Sequence, residues 1–130
     1  MKEIQKAIIK KGDRYLTLKR GINATYFPEH WDFPGGKLEQ NEDRKAGIAR
    51  EVLEETSLKI EALEIVATYE LDLDDKGENT HKFTFFSTRL LSEDVKISFE
   101  HSDFKWATIE ELQALQTEPY MPLLIKEKKI

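Results

Sequence analysis

Three glutamates, Glu51, Glu54 and Glu55, lie three and four positions apart in one segment of the chain. At about 100° per residue, a helix would place their side chains within an arc of roughly 100°. Like charges at this spacing repel one another by a few tenths of a kcal/mol per pair, so the cluster calls for a cation. Mg²⁺ prefers oxygen ligands and shares them with substrate phosphates. The cluster therefore indicates a divalent-cation site for hydrolysis of a phosphate anhydride.

Arg50 precedes Glu54 by four positions and is placed to orient a carboxylate of this cluster. On its own, such a segment is also typical of a solvent-exposed helix face with i,i+4 ion pairs. The preceding residues, 31–39, favour the metal site, because a short apolar element runs into a Pro-Gly-Gly sequence that ends at Gly36. Paired glycines allow the backbone to approach a ligand or metal closely.

The glutamates belong to a segment, residues 43–56, that contains no proline and a single glycine, Gly47. This composition predicts a helix, with Asn41 as its N-cap. The side opposite the glutamates is expected to pack against the core. That side comprises Ala46, Ala49, Val52, Leu53 and Thr56.

Strand and helix patterns alternate along the rest of the chain. Strands are predicted at residues 4–10, 14–20, 31–33, 63–71, 81–91, 95–99 and 104–107, with the first two joined as a hairpin at 11–13. Residues 21–30 are predicted to form a loop, and two further helices are predicted at 109–115, entered through Thr108, and at 119–128. Strands interleaved with helices indicate an α/β (α+β) fold.

The chain has 130 residues, 39% of them hydrophobic and 35% charged, which predicts one domain spanning residues 1–130. No apolar run approaches the ~18 residues of a membrane span, and the first residues do not have the pattern of a signal peptide. A cytoplasmic location without a membrane partner is therefore expected.

The charge and the cysteine count narrow the possible chemistry. The absence of cysteine excludes disulfides, thiolate catalysis and cysteine-based zinc sites. The net charge of −5 argues against general nucleic-acid binding, because an acidic surface repels a polyanion. A single nucleotide bound through a metal remains compatible with this charge.

An acidic connection at residues 72–79 imitates a calcium loop, since Asp72, Asp74 and Gly77 match the opening of an EF-hand. The position that would supply the bidentate glutamate is Phe83, and no helix is predicted on either side. The connection is therefore interpreted as a solvated hairpin loop.

The segment from Gly36 to Leu58 resembles the signature of the Nudix hydrolases: Gly, five residues, Glu, seven residues, then Arg-Glu-apolar-x-Glu-Glu-x-Gly-apolar. The matching residues are Gly36, Glu42, Arg50, Glu51, Val52, Glu54, Glu55 and Leu58. Ser57 departs from the pattern, because the family has a glycine that ends the helix in a left-handed conformation. That conformation costs a non-glycine residue about 1 kcal/mol, so Ser57 is expected to affect stability rather than chemistry.

The resemblance implies a Nudix fold, a mixed β-sheet sandwiched between helices, and a metal site built from this segment. Mg²⁺, or Mn²⁺ in its place, is expected to bind Glu51, Glu54 and Glu55 together with the backbone carbonyl of Gly36. By the same resemblance, Arg50 orients Glu51 or Glu54, and Glu42 belongs to the same charged network.

The resemblance leaves the general base open between Glu51 and a glutamate outside the signature. Glu100 is the candidate for the outside position, because it precedes Trp106 by six residues, an interval found in MutT-like members of the family. His81 and His101 are expected to be surface or strand residues rather than ligands, since Nudix metal sites are built from oxygen.

The MutT-like subgroup, which hydrolyses nucleoside triphosphates, is the part of the family that the chain resembles. The marker sequences of NADH, ADP-ribose and dinucleoside polyphosphate enzymes are absent. Predicted substrate contacts are Arg20, Lys37 and Thr117, and Thr117 stands where the subgroup has an asparagine that reads the base. A hydroxyl does not supply the paired donor and acceptor of an amide, which argues against tight recognition of 8-oxoguanine. Most aromatic residues at such spacings are expected to be core residues, and no more than one or two are expected to stack on a base, among Tyr26, Phe27, Trp31, Phe83, Phe85 and Tyr120.

Two functions remain open at this point. The first is a Mg²⁺-dependent pyrophosphohydrolase acting on a small nucleotide and releasing, from a triphosphate, a nucleoside monophosphate and pyrophosphate. The second is a catalytically silent Nudix-fold module that binds nucleotides or regulates a partner. The intact set of Glu51, Glu54 and Glu55 favours the enzyme. The oligomeric state is not predicted.

Overall fold

The computed structural model describes residues 1–74 and 76–130. Asp75, part of the predicted acidic connection, lies outside the described residues. The strands are β1 (Lys2–Ile8), β2 (Lys10–Lys11), β3 (Arg14–Arg20), β4 (Trp31–Asp32), β5 (Gly35–Lys37), β6 (Ile60–Asp72), β7 (Thr80–Leu90) and β8 (His101–Ala107), and the helices are α1 (Arg44–Thr56), α2 (Ile109–Ala114) and α3 (Tyr120–Lys126).

Two sheets contain the described strands. The first has the order β5-β1-β7-β6, in which β1 and β7 are parallel and the other pairs antiparallel. The second sheet joins β2, β3 and β4, and β8 pairs with the other edge of β3. Among the described residues, no helix is long and apolar enough to cross a membrane.

Consecutive residues of β1 point to opposite faces of the first sheet, and each face has its own core cluster. Ala7 packs in one cluster with Val52 of α1, whereas Ile8 packs in the other with Leu112 of α2 and Leu124 of α3. The predicted mixed sheet between helices is therefore confirmed.

The hairpin predicted at 11–13 forms only at its end, where Lys10 lies opposite Tyr15, because both edges of β1 are occupied by other strands. β5 and β7 pair with these edges, and the hairpin forms instead between the short β2 and β3. The sequence pattern also missed β5, in which Gly35 lies opposite Lys6. A Cβ atom at Gly35 would lie 1.9 Å from the carbonyl oxygen of Gln5, so only glycine permits this pairing.

The strand predicted at residues 95–99 is not formed. The backbone N–H groups of Lys96 and Ser98 donate to the carbonyl oxygens of Thr56 and Glu55, each at 2.9 Å. These carbonyls lie in the last turn of α1, where no intrahelical donor is available. The alternating segment therefore caps a helix instead of joining a sheet.

The acidic connection folds as a hairpin loop between β6 and β7. Asp72 accepts hydrogen bonds from the backbone N–H groups of Asp74 and Gly77, and Asp74 accepts one from Lys76. These carboxylates are thus partly satisfied by the turn itself, in agreement with the hairpin interpretation.

Candidate active site

Helix α1 begins and ends through specific caps. Asp43, not the predicted Asn41, is the N-cap, because its side chain accepts a hydrogen bond from the N–H of Ala46 at 3.0 Å. At the other end, Ser57 adopts φ 64° and its N–H donates to the carbonyl oxygen of Leu53. The left-handed conformation expected at Ser57 is therefore confirmed.

The buried face of α1 differs from the predicted one. Leu53 is 47% exposed, and Ala46 is also exposed. The buried residues are Gly47, Ile48, Val52, Glu55 and Thr56. The core face therefore includes a glutamate of the signature, because Glu55 shares the stripe formed by Ile48 and Val52.

Arg50 lies at the centre of the acidic cluster. Its guanidinium donates to Glu42 at 2.7 and 3.1 Å, to Glu51 at 3.1 Å and to Glu54 at 3.1 and 3.2 Å. These hydrogen bonds hold the pKa of Arg50 above its ordinary value and that of Glu42 below it. The arrangement agrees with an orienting role for Arg50, with Glu42 in the same charged network.

Gly36 of β5 lies against the carboxylate of Glu51. A Cβ atom at position 36 would lie 2.5 Å from Cδ of Glu51, so a larger residue would displace this carboxylate. The structure thus brings together the backbone of Gly36 and the side chain of Glu51, which the resemblance to the Nudix signature assigns to one metal site.

Glu55 is buried at the inner side of the cluster and is 7% exposed. Its Oε1 accepts a hydrogen bond of 2.7 Å from the N–H of Gly35. Burial raises the pKa of Glu55 to about 8, and Asp32 and Glu51 add to this shift although Lys6 opposes it. Both glycines of the pair therefore contact the glutamates: Gly36 lies against Glu51, and the N–H of Gly35 positions the carboxylate of Glu55.

The carboxylates also raise one another's pKa. Burial raises the pKa of Glu51, and the charges of Glu54 and Glu100 add to the increase. A bound divalent cation would oppose both the burial effect and the repulsion. The oxygen donors of this cluster therefore fit Mg²⁺.

Within residues 1–74 and 76–130, no three acidic or histidine side chains already form a metal cage. Glu51 and Glu54 accept hydrogen bonds from the guanidinium of Arg50. Glu54 is the most accessible of the three glutamates, with its side chain 59% exposed.

His101 occupies an unexpected position beside the cluster. Nε2 lies 3.3 Å from Oδ1 of Asp32, and Nδ1 lies 3.8 Å from Oε2 of Glu55. Among the described residues, neither ring nitrogen has a hydrogen bond of good geometry. His81 and His101 both lie in strands, which is one of the two expected locations, and each is only 7% exposed.

A buried ion network extends from this point. Nζ of Lys6 lies 3.3 Å from Oδ2 of Asp32 and 3.7 Å from Oε2 of Glu118, and Arg20 donates to Oδ2 of Asp32 at 3.0 Å. Although burial opposes ionisation, the positive charges of Lys6 and Arg20 hold the pKa of Asp32 well below its ordinary value. Because each charge has a partner, removing one would leave the others buried and uncompensated.

A cavity of about 890 Å³ is lined by Glu55 of the acidic cluster and by Lys6, Arg20 and Glu118 of the buried ion network. The predicted site residues that line it are Arg20, Gly36, Lys37, Glu55 and Glu100, together with the newly found Lys6, His101 and Glu118. Of the aromatic residues considered for stacking, Tyr26 and Phe83 line the cavity. Phe85 and Tyr120 are fully buried and pack against each other, with ring centroids 4.8 Å apart.

Thr117 does not line this cavity, although it was predicted to contact the substrate. Its backbone forms a parallel bridge with Trp31, in which the N–H of Trp31 donates to Gln116 and that of Glu118 donates to Trp31. This pairing places the next residue, Glu118, at the cavity.

Sequence reasoning missed Lys6, Asp32 and His101. For Lys6 a signal was present, because it shares one face of a predicted strand with Ile4 and Ile8, where a third apolar residue would be expected. Asp32 lies between Trp31 and Phe33, and a charge within an apolar segment gives a similar signal. For His101 we find no such signal.

Two curated proteins match parts of the chain. The chain is 37% identical over 62 residues to a MutT-like protein of Streptomyces ambofaciens, a match that covers 48% of this chain and 37% of that protein. It is 43% identical over 53 residues to an 8-oxo-dGTP diphosphatase of Buchnera aphidicola, covering 41% and 39%. These matches therefore span only about two fifths of the curated relatives.

A solved structure provides the broader likeness. The crystal structure of a MutT protein from Methanosarcina mazei superimposes with a TM-score of 0.84 at 28% identity, covering 99% of this chain and 96% of that chain. The model of the NUDIX domain family matches residues 6–127. Since this match spans nearly the whole sequence, the chain belongs to the NUDIX domain family.

Proposed function

We propose that the protein is a Mg²⁺-dependent pyrophosphohydrolase that cleaves a phosphate anhydride of a nucleoside triphosphate, oxidised ones included, or of a related nucleoside diphosphate derivative. From a triphosphate the products would be a nucleoside monophosphate and pyrophosphate. The observation that carries the proposal is the convergence of Glu51 and Glu55 on the Gly35-Gly36 backbone, beside a cavity of about 890 Å³.

The metal would be held by Glu51, Glu54 and Glu55 with the backbone carbonyl of Gly36. Bound there, the cation would supply charge that neutralises the phosphates and polarises the phosphorus that water attacks. Arg50 would keep Glu51 and Glu54 oriented through the hydrogen bonds that it already makes to both.

Two carboxylates are candidates for the general base. The pKa of Glu51 is raised by burial, which brings a carboxylate closer to the range of an effective base at neutral pH. Glu100 is exposed at the cavity, where it can reach a water that enters from solvent. We propose that one of these two accepts the proton of the attacking water.

Cations of the cavity wall would bind the phosphates. Lys37 is exposed there beside Gly36. Arg20 is half-buried and has donors left after its bonds to Tyr26 and Asp32. Thr117 lies outside the cavity lining, and its contact with the substrate stays a prediction.

The proposal is tested by a product assay over nucleoside triphosphates, oxidised nucleotides, ADP-ribose and dinucleoside polyphosphates, with and without Mg²⁺. We expect Mg²⁺-dependent formation of a monophosphate and pyrophosphate from at least one triphosphate. No turnover of any compound would favour the catalytically silent module instead. The single domain, the cytoplasmic location and the absence of nucleic-acid and membrane partners stay predictions.

A further inference from the structure

His101 has no role in the hydrolysis proposed above, although its ring lies between the acidic cluster and the buried ion network. The side chain lines the cavity and is 7% exposed. Nδ1 lies 3.8 Å from Oε2 of Glu55, and Nε2 lies 3.3 Å from Oδ1 of Asp32. The ring therefore faces a proposed metal ligand on one side and a buried carboxylate on the other.

The polar atoms around this ring are not paired by good hydrogen bonds. Among the described residues, both ring nitrogens of His101 and Oδ1 of Asp32 are buried and have no hydrogen-bond partner. Buried polar atoms are rarely left in this state, because their lost hydration is not replaced. A hydrogen bond between Nδ1 and Oε2 of Glu55 would need the two atoms to be closer by only about 0.6 Å or slightly more. Small rotations of the two side chains achieve such a change.

The carboxylate of Glu55 has one oxygen directed at each of two neighbours. Oε1 accepts a hydrogen bond of 2.7 Å from the N–H of Gly35, whereas Oε2 faces Nδ1 of His101. A carboxylate has about four acceptor sites over its two oxygens, so bonds to both neighbours still leave sites for a cation. An ionised carboxylate only accepts hydrogen bonds, so His101 has to be the donor.

The backbone fixes His101 at this place. The N–H of Ser98 donates to the carbonyl oxygen of Glu55 at 2.9 Å, and the N–H of His101 donates to the carbonyl oxygen of Ser98 at 3.2 Å. These bonds connect the last turn of α1 to the first residue of β8. His101 also pairs with Arg20 of β3. The ring is therefore held beside Glu55 by two neighbouring elements of the fold.

We propose that His101 is a positioning residue, which donates from Nδ1 to Oε2 of Glu55 and thereby orients this carboxylate for the divalent cation. Asp32 faces the other ring nitrogen and fixes the ring. The inference rests on the proposed function, because Glu55 is taken there as a ligand of the cation. A group that hydrogen-bonds a metal ligand fixes the direction of that ligand, and its removal typically weakens metal binding by about 10- to 100-fold.

The test measures metal binding without substrate. The dissociation constant of Mn²⁺ is determined for the full chain from the electron paramagnetic resonance signal of the free ion. His101→Leu and His101→Asn remove the same ring and have nearly the same shape, but only asparagine keeps an amide at the position of Nδ1. We expect His101→Leu to raise the Kd at least about tenfold, and His101→Asn to stay within about threefold of the wild type.

His81→Leu is the matched control. His81 lines the same cavity and is equally buried, but its Nδ1 lies 3.1 Å from the carbonyl oxygen of Asn79. Its replacement should therefore leave the Kd of Mn²⁺ within about threefold of the wild type. Weakening in His81→Leu equal to that in His101→Leu would overturn the inference, because a general disturbance of the cavity would explain both.

An unchanged Kd in His101→Leu would also overturn the inference. So would equal weakening in His101→Leu and His101→Asn, because the loss of the ring would then account for the effect without the hydrogen bond. Should His101→Leu not fold, His101→Gln takes its place, because its longer side chain carries the amide toward Asp32 and leaves the Glu55 side without a donor. That variant should raise the Kd at least about tenfold, and an unchanged value would count against the proposal.

The failure of this inference is distinguishable from that of the proposed function. The expected order of Mn²⁺ affinities without turnover of any triphosphate would refute the proposed hydrolysis alone. Mg²⁺-dependent turnover by the wild type, together with the same Mn²⁺ affinity in every variant, would refute the positioning role of His101 alone.

Discussion

Glu55 should make the stability of the metal-free protein fall as the pH rises. Burial raises the pKa of its carboxyl from the ordinary 4.5 to about 8, so the folded protein keeps a proton that the unfolded chain releases between these values. Stability from this group is therefore fully present below about pH 4.5 and is lost as the pH rises through about 8.

The size of the effect follows from the same two values. The difference between 4.5 and about 8, converted at about 1.4 kcal/mol per pKa unit, gives a ceiling of roughly 5 kcal/mol. Water entry and local relaxation around the ionised group reduce such a penalty. We expect the free energy of unfolding to fall by about 2–4 kcal/mol between pH 5 and pH 8.5. Glu118 acts in the same direction, because burial raises its pKa to about 7.

Glu55→Gln separates the contribution of Glu55 from that of Glu118. The amide oxygen can still accept from the N–H of Gly35, but it has no charge to bury. Urea unfolding is measured at pH 5 and pH 8.5 in the presence of a chelator. The free energy of unfolding of this variant should fall by about 2–4 kcal/mol less between these pH values than that of the wild type. Glu61→Gln, at an exposed ion pair with Arg89, is the control and should retain the loss seen in the wild type.

The same urea unfolding can be repeated with Mg²⁺ in place of the chelator. A cation that binds the ionised Glu55 carboxylate stabilises the folded state by mass action, by about 2.7 kcal/mol at a hundredfold excess over its Kd. At pH 8.5, Mg²⁺ should raise the unfolding free energy of the wild type more than that of Glu55→Gln. The reasoning is refuted if the two proteins lose equal stability between pH 5 and pH 8.5.

Two substitutions, one to glycine and one from glycine, test the backbone conformation at Ser57 and the close approach at Gly36. Ser57→Gly should raise the free energy of unfolding by about 0.5–1 kcal/mol in urea titrations, because φ 64° favours glycine even after loss of the hydrogen bond to Lys96; a destabilised variant would contradict this. Gly36→Ala should lower kcat/KM at least tenfold and leave the fold intact, because its Cβ would displace the flexible side chain of Glu51; wild-type kinetics would show that this carboxylate need not lie against residue 36.

Local signals determined which elements were predictable. Helix α2 begins as expected, because Thr108 and Glu111 form a capping box within four residues of sequence. The composition of residues 43–56 predicts helix α1, but the N-cap is Asp43 and not the predicted Asn41. The segment 95–99 alternates like a strand, but its hydrogen-bond partners are the carbonyl groups at the end of α1, which local alternation does not reveal.

The candidate site was likewise predictable only in part from the sequence. The spacing of Glu51, Glu54 and Glu55 indicated a shared site, because helix geometry alone fixes their relative directions. The burial of Glu55 and its proximity to His101 depend on how α1 packs against β5 and β8, which the spacing does not specify. That Glu118 lines the cavity and Thr117 does not likewise depends on the bridge between Thr117 and Trp31, which are far apart in the sequence.

The central claim is that these glutamates hold the cation that drives anhydride hydrolysis, and Glu54→Gln tests it most directly. Glu54 is the most exposed of the three, and a surface pair with Arg50 contributes at most about 1 kcal/mol, so the variant should remain folded. Pyrophosphate release from the best triphosphate, measured at saturating Mg²⁺, should fall by orders of magnitude relative to the wild type and to Glu61→Gln. Unchanged turnover in folded Glu54→Gln would contradict the assignment of the metal ligands.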